Sequence, residues 1–179
     1  MVAESARVIP WRENDALFKA ELEAGHEAEL AVALALLREG LAVQVPVLKI
    51  RADRSEIPEY ADQADLLILH GATVQRVEVK SRALEFGADP ASYPYPTALV
   101  DTKEGWQQKG RHPVAVVLVS QPTRHGMPGA RLVVPVSSEP QWVEATVHDR
   151  VRDIDLVVLA APRSCLRRWE EFVGWLKRG

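Results

Sequence analysis

Two arms of strand-forming residues joined by a short glycine-containing link constrain this chain more than any other stretch. They read Ala64-Asp65-Leu66-Leu67-Ile68-Leu69, then His70-Gly71-Ala72-Thr73, then Val74-Gln75-Arg76-Val77-Glu78-Val79-Lys80. The pattern predicts a β-hairpin. Side chains alternate along a strand, so Glu78 and Lys80 share one face while Val77 and Val79 take the other. A charged pair set in an apolar strand is costly to desolvate unless something compensates. Asp65, Glu78 and Lys80 would bring two carboxylates and an amine to one sheet edge, an arrangement suited to holding a divalent cation against a phosphodiester. The plain alternative is the wet face of a half-exposed strand, because a three-residue pattern arises often by chance.

Upstream, Gly25 to Gly40 is rich in Ala and Leu, which predicts a helix stopped at Gly40. Glu29 falls in line with Val32, Ala33 and Leu36, the stripe expected to meet a sheet. An acid on such a stripe suggests a partner. A first-turn Glu that favours the helix dipole is the competing explanation. Residues 41–47 read as a first strand with Pro46 at its end or edge.

This order of helix, strand, strand with Asp65, and strand with Glu78-Val79-Lys80 resembles the PD-(D/E)XK nuclease superfamily, in particular its resolvase-like and phage-type standalone members. The resemblance covers about residues 25–120, with Ala64-Asp65 where the family has Pro-Asp. It implies a restriction endonuclease-like α/β fold, a central mixed sheet flanked by helices on both sides. It further implies Mg2+, with Mn2+ as substitute, held by Asp65 and Glu78 through hard oxygen ligands. Glu29 would hold that ion through water or assist a second one. Catalysis would then fall to Glu29, Asp65, Glu78 and Lys80, with Lys80 positioning or deprotonating the attacking water or stabilising the charge that grows in the transition state. In the family the helix after the third strand often supplies polar residues near the phosphate, for which Lys103, Gln107 and Lys109 are candidates. Lys103 and Gln107 share a helical face, and Lys109 does not. Arg82 and Arg111 complete the expected nucleic-acid contacts.

At 179 residues and 47% hydrophobic content, the chain suits a single domain with a real core, residues 1–12 being expected as a flexible arm. Its apolar runs are too short to cross a bilayer and its first residues lack a signal peptide's core, so an intracellular, cytoplasmic setting is expected. A single cysteine, Cys165, excludes an internal disulfide and a Cys-based zinc site. The five histidines lack metal-ligand spacing to one another. The formal net charge of −3 opposes a DNA ligand, although Lys80, Arg82, Lys103, Lys109, Arg111 and Arg124 are expected in or near the site. Modest affinity, or a protein partner that supplies specificity, follows.

Residues 83–100 read as a long connection carrying Tyr93-Pro94-Tyr95-Pro96. It would lie along a nucleic-acid backbone, stack on a splayed base, or serve as a rigid cover over the sheet edge. A short helix capped by Asp101 or Thr102 and ended by Gly110 is expected next, with Trp106 as a core anchor. The continuous apolar run 113–120 predicts a buried strand of the parallel kind. A turn over 121–130, a strand at 131–136, a helix at 139–150 with Trp142, a strand at 154–160 and an amphipathic helix from Ser164 follow. The last helix carries Trp169, Phe172 and Trp175 on a face suited to the core or to a homodimer interface.

The expected function is therefore a Mg2+-dependent endonuclease acting on DNA, structure-selective or partner-directed. A RecB-like exonuclease would use the same site but lacks its supporting motifs. A catalytically silent DNA- or protein-binding module of the same fold is the alternative from another class.

Overall fold

A computed structural model describes residues 11–45, 66–70, 73–120, 129–149 and 154–178. Asp65, the end of the first expected strand, most of the N-terminal arm, and the turn bearing Arg124 and His125 lie outside these residues.

Helix α1 runs from Trp11 to Arg38, starting well before the Gly25 that the sequence suggests. Its end is fixed by backbone chemistry. Gly40 takes a left-handed φ of 82°, Gly40 N donates to Leu37 O and Leu41 N donates to Leu36 O. This is a Schellman ending, with Leu36 and Leu41 both buried beneath it. Strands β1 (Ala42–Gln44), β2 (Leu66–His70) and β3 (Thr73–Arg82) then form an antiparallel meander. The expected hairpin is present, with Leu66 paired to Val77 and His70 to Thr73.

After β3 come β4 (Thr97–Thr102), helix α2 (Lys103–Gln108), β5 (Ala115–Ser120) and β6 (Arg131–Pro135). Then follow β7 (Val143–Asp149), β8 (Ile154–Pro162), β9 (Arg167–Arg168) and α3 (Trp169–Arg178). Strand β5 lies parallel to β3, Val77 opposite Ala115 and Arg82 opposite Ser120. All six residues of β5 are buried, as its unbroken apolar run requires. Among the described residues one sheet has the order β1-β2-β3-β5-β6-β9 and is mixed, and a second, β4-β8-β7, is antiparallel.

The chain is thus α/β with a mixed sheet, but its layering differs from the expectation of helices on both sides. One face of the large sheet, carrying Val77, Val79, Val117 and Val133, packs on α1 and α3 in a single apolar core. The other face, carrying Val116, Leu118, Leu132 and Val134, packs on Val100 of β4, Ala161 of β8, Trp106 of α2, Cys165 and the loop residues Phe86 and Tyr93. A second sheet and a short helix therefore cover this side. Each large aliphatic side chain buried in either core contributes about 1.5–3 kcal/mol.

Three local expectations fail. The helix expected from Ser164 starts only at Trp169, after a 3-10 turn at Arg163–Cys165 and strand β9. The segment 139–150 is not a helix. A 3-10 turn spans Val136–Gln141 and β7 follows, with Ala145, Val147 and Asp149 half-buried in a strand's alternation. The 83–100 connection ends in β4, whose start at Thr97 is hidden behind two prolines. Trp106 is a core anchor: it is buried, its Nε1 donates to Glu139 Oε1 at 2.8 Å, and its ring meets Trp142 edge-on at 5.1 Å. None of the described helices is long and apolar enough to cross a membrane.

Candidate functional site

Glu78 sits mid-strand in β3 and is only 6% exposed, on the face turned away from α1. A buried carboxylate needs partners, and the chain supplies two ammonium groups. Lys80 Nζ lies 2.5 Å from Glu78 Oε1, as the shared strand face requires. Lys109 Nζ lies 3.0 Å from Glu78 Oε2 and 3.1 Å from Asp101 Oδ2. Two carboxylates from separate sheets therefore share one amine.

Local structure explains how Asp101 and Lys109 arrive there. Strand β4 shifts register against β8 between Leu99 and Asp101, the kind of irregularity that re-aims a side chain. The other oxygen of Asp101, Oδ1, accepts from Thr102 N at 2.8 Å. Thr102 Oγ1 in turn accepts from Gly105 N at 3.0 Å and caps α2. Lys109 closes α2, its backbone N–H donating to Trp106 O. Strand end, cap and helix end are thus one hydrogen-bonded unit that delivers both side chains to Glu78.

Burial pulls the Lys109 amine down, but attraction and hydrogen bonding to Glu78 and Asp101 together outweigh it and leave its pKa above the ordinary lysine value of 10.5. Arg82, two residues beyond Lys80 on the same face, donates from Nη2 to Leu99 O at 2.6 Å. Burial lowers its pKa, opposed by Tyr93, Asp101 and Glu78.

The expected site residues separate into those the structure joins and those it does not. Glu78, Lys80, Arg82 and Lys109 are brought together. Lys109 is there because it leaves the face shared by Lys103 and Gln107. Lys103 pairs with Glu144 of β7 at 2.7 Å, and Gln107 is exposed on α2. Arg111 braces the start of β3: its Nη2 donates to Val74 O at 3.2 Å, while Arg76 Nη1 donates to its carbonyl at 2.9 Å. Glu29 belongs to α1, in the layer on the other side of the sheet from the cluster, and its Oε2 lies 3.1 Å from His26 Nδ1. Asp65 lies outside the described residues, although its neighbour Leu66 pairs with Val77, the neighbour of Glu78. Among the described residues, no three His, Cys, Asp or Glu side chains converge to hold a metal ion.

Asp101 is the member that sequence reasoning overlooks, because beside Thr102 it reads as a helix cap. Its Oδ1 does serve the capped turn, and only the packing of one sheet on the other reveals what Oδ2 does. No protein family, curated protein or solved structure matches this chain.

Proposed function

We propose that this chain is a divalent-metal-dependent phosphodiester hydrolase acting on DNA, a structure-selective or partner-directed endonuclease with a restriction endonuclease-like core. The observation that carries the reading is the buried Glu78 carboxylate, on a strand at the heart of the sheet and flanked by Lys80 and Lys109. Glu78 and Asp101 already set their oxygens around a cationic group, which is what a hard divalent ion requires of its donors. Mg2+ or Mn2+ would be held by Asp65 and Glu78, with Asp101 as a further neighbour; Glu29, on α1 across the sheet, stands apart from this set. The reading requires Asp65 to continue the β2–β3 register opposite Glu78. When bound, the ion supplies positive charge for the phosphoryl transition state and acidifies water.

The chain's own side chains do the rest. Lys80, held at Glu78, orients the attacking water and donates to the phosphoryl oxygen on which charge grows. Arg82 stands one strand repeat further along the same face and fixes the adjacent phosphate. The net charge of −3 keeps affinity modest, so a partner or a particular DNA structure selects the target.

The test is incubation of purified protein with Mg2+ or Mn2+ on plasmid, single-stranded and four-way-junction DNA. Metal-dependent cleavage is expected. Lys80→Ala should reduce it by orders of magnitude while Mn2+ binding persists, because the lost contact belongs to the transition state. Undiminished cleavage by Lys80→Ala, or no cleavage of any substrate, would contradict the proposal.

One observation favours a second reading, the catalytically silent DNA- or protein-binding module. Lys109 already meets both carboxylates, so the chain satisfies their need for a cation without a metal. Under that reading Mn2+ leaves Glu78 untouched and none of the DNA substrates is cut.

A further inference from the structure

We propose that a cavity at the end of β3 takes an unpaired nucleobase, so that nucleic acid meets the Glu78 cluster as a single or frayed strand. This deepens the phosphodiesterase reading and rests on it for the role of the neighbouring cluster.

The cavity measures about 610 Å3 and is lined chiefly by Arg82, Leu84, Tyr93, Tyr95, Thr97 and Leu99. Its size falls within the range of small-ligand sites. Its walls match a flat heteroaromatic ring: aliphatic and phenolic surface, with a single guanidinium. Tyr95 is 56% exposed and stands edge-on to the buried Tyr93 at 6.4 Å, leaving a ring available for stacking. Arg82 is held at the wall by its bond to Leu99 O, and a fixed guanidinium plane also stacks on bases.

The walls are pre-formed. Pro94 and Pro96 fix φ on either side of Tyr95. Gly87 N donates to Ser92 Oγ at 2.8 Å and Ala91 N to Asp89 Oδ1 at 2.8 Å, while Asp89 is ion-paired with Arg168. Ser120 Oγ, at the end of β5, accepts from Phe86 N and donates to Leu84 O. A pocket already in its bound shape loses little entropy on binding.

Charge separates a nucleotide from an uncharged apolar ligand. Arg76, Glu78, Lys80 and Arg82 lie at alternate positions of β3 and therefore on one face, three cations to one buried carboxylate. Lys109, at the C-terminal cap of α2, adds a fourth cation, which it shares between Glu78 and Asp101. Phosphates tracking the row would bring a base to the cavity beside Arg82. A base inside a duplex has both faces covered by its neighbours, so only an unstacked one reaches Tyr95.

The experiment titrates the full chain, in chelator-treated buffer without metal, into an oligonucleotide carrying 2-aminopurine. Single-stranded DNA, the same sequence as a blunt duplex, and single-stranded RNA are compared. Single-stranded DNA should bind more tightly than duplex and with quenched fluorescence. Tyr95→Ala should weaken that binding about tenfold or more, the usual range for losing one stacked base, and Tyr95→Phe should retain it. Tyr95-dependent binding of RNA would also support the pocket and widen the substrate to both sugars.

Equal binding of duplex and single strand with no effect of Tyr95→Ala overturns the inference, and so does the absence of binding to every oligonucleotide. Because metal is absent, the outcome is separable from the cleavage assay. Tyr95-dependent binding without cleavage keeps the pocket and rejects the hydrolase, whereas cleavage with Tyr95-independent binding does the reverse.

Discussion

Lys109 lies at the centre of the charge balance in this protein. Its ammonium is shared by Glu78 and Asp101, and removing it leaves Asp101 without that ion pair and Glu78 with Lys80 alone. Lys109→Met should therefore cost about 1–3 kcal/mol of metal-free stability. If a divalent ion belongs at these carboxylates, Mn2+ should restore that loss and raise the melting temperature more in the variant than in the wild type, because a competing cation has gone. Thermal unfolding with and without Mn2+ checks this, and an equal or smaller gain in the variant would count against the metal. The pH dependence has a definite sign. The folded-state pKa of Lys109 is raised above 10.5, so its contribution is complete below that value and is lost as pH climbs through the raised one. The wild type should show this alkaline loss and Lys109→Met should lack it.

Among the elements, the six-residue helix α2 does more than its length suggests, because its two ends deliver Asp101 and Lys109. Gly105 permits this. A Cβ there would stand 2.7 Å from Thr102 Oγ1 and 3.4 Å from Asp101 Oδ1. Gly105→Ala, although helix-favouring in propensity, should destabilise the fold by about 1 kcal/mol by disrupting the cap and should loosen Lys109 from Asp101. Denaturant unfolding measures the first effect, and a neutral or stabilising result would refute the account of the cap. The same elements show where sequence reasoning reaches. The β2–β3 hairpin and the α2 cap are local patterns whose signals lie within a few residues, and both are found. Strand β7 carries a period of two at Val143, Ala145 and Val147, but the preceding Ser137-Ser138-Glu139-Pro140 resembles a helix start. Strand β4 is masked by Pro94 and Pro96. The contact of Asp101 with Lys109 and Glu78 joins two sheets, and no local spacing encodes it.

In the whole molecule, the two faces of the large sheet differ in character. The α1 and α3 side is apolar throughout its buried cluster. The side facing the second sheet mixes an apolar cluster with the row Arg76, Glu78, Lys80 and Arg82. That row gives a chain of net charge −3 a local excess of cations, on which the proposed nucleic-acid ligand would depend. The most direct test of the central claim is the anomalous scattering of a crystal soaked in Mn2+, with and without Glu78→Gln. The account predicts a peak at coordination distance, about 2.2 Å, from oxygens of Glu78 and Asp65 that disappears in the variant. An empty position with Lys109 still seated between Glu78 and Asp101, or a peak indifferent to Glu78→Gln, would contradict it.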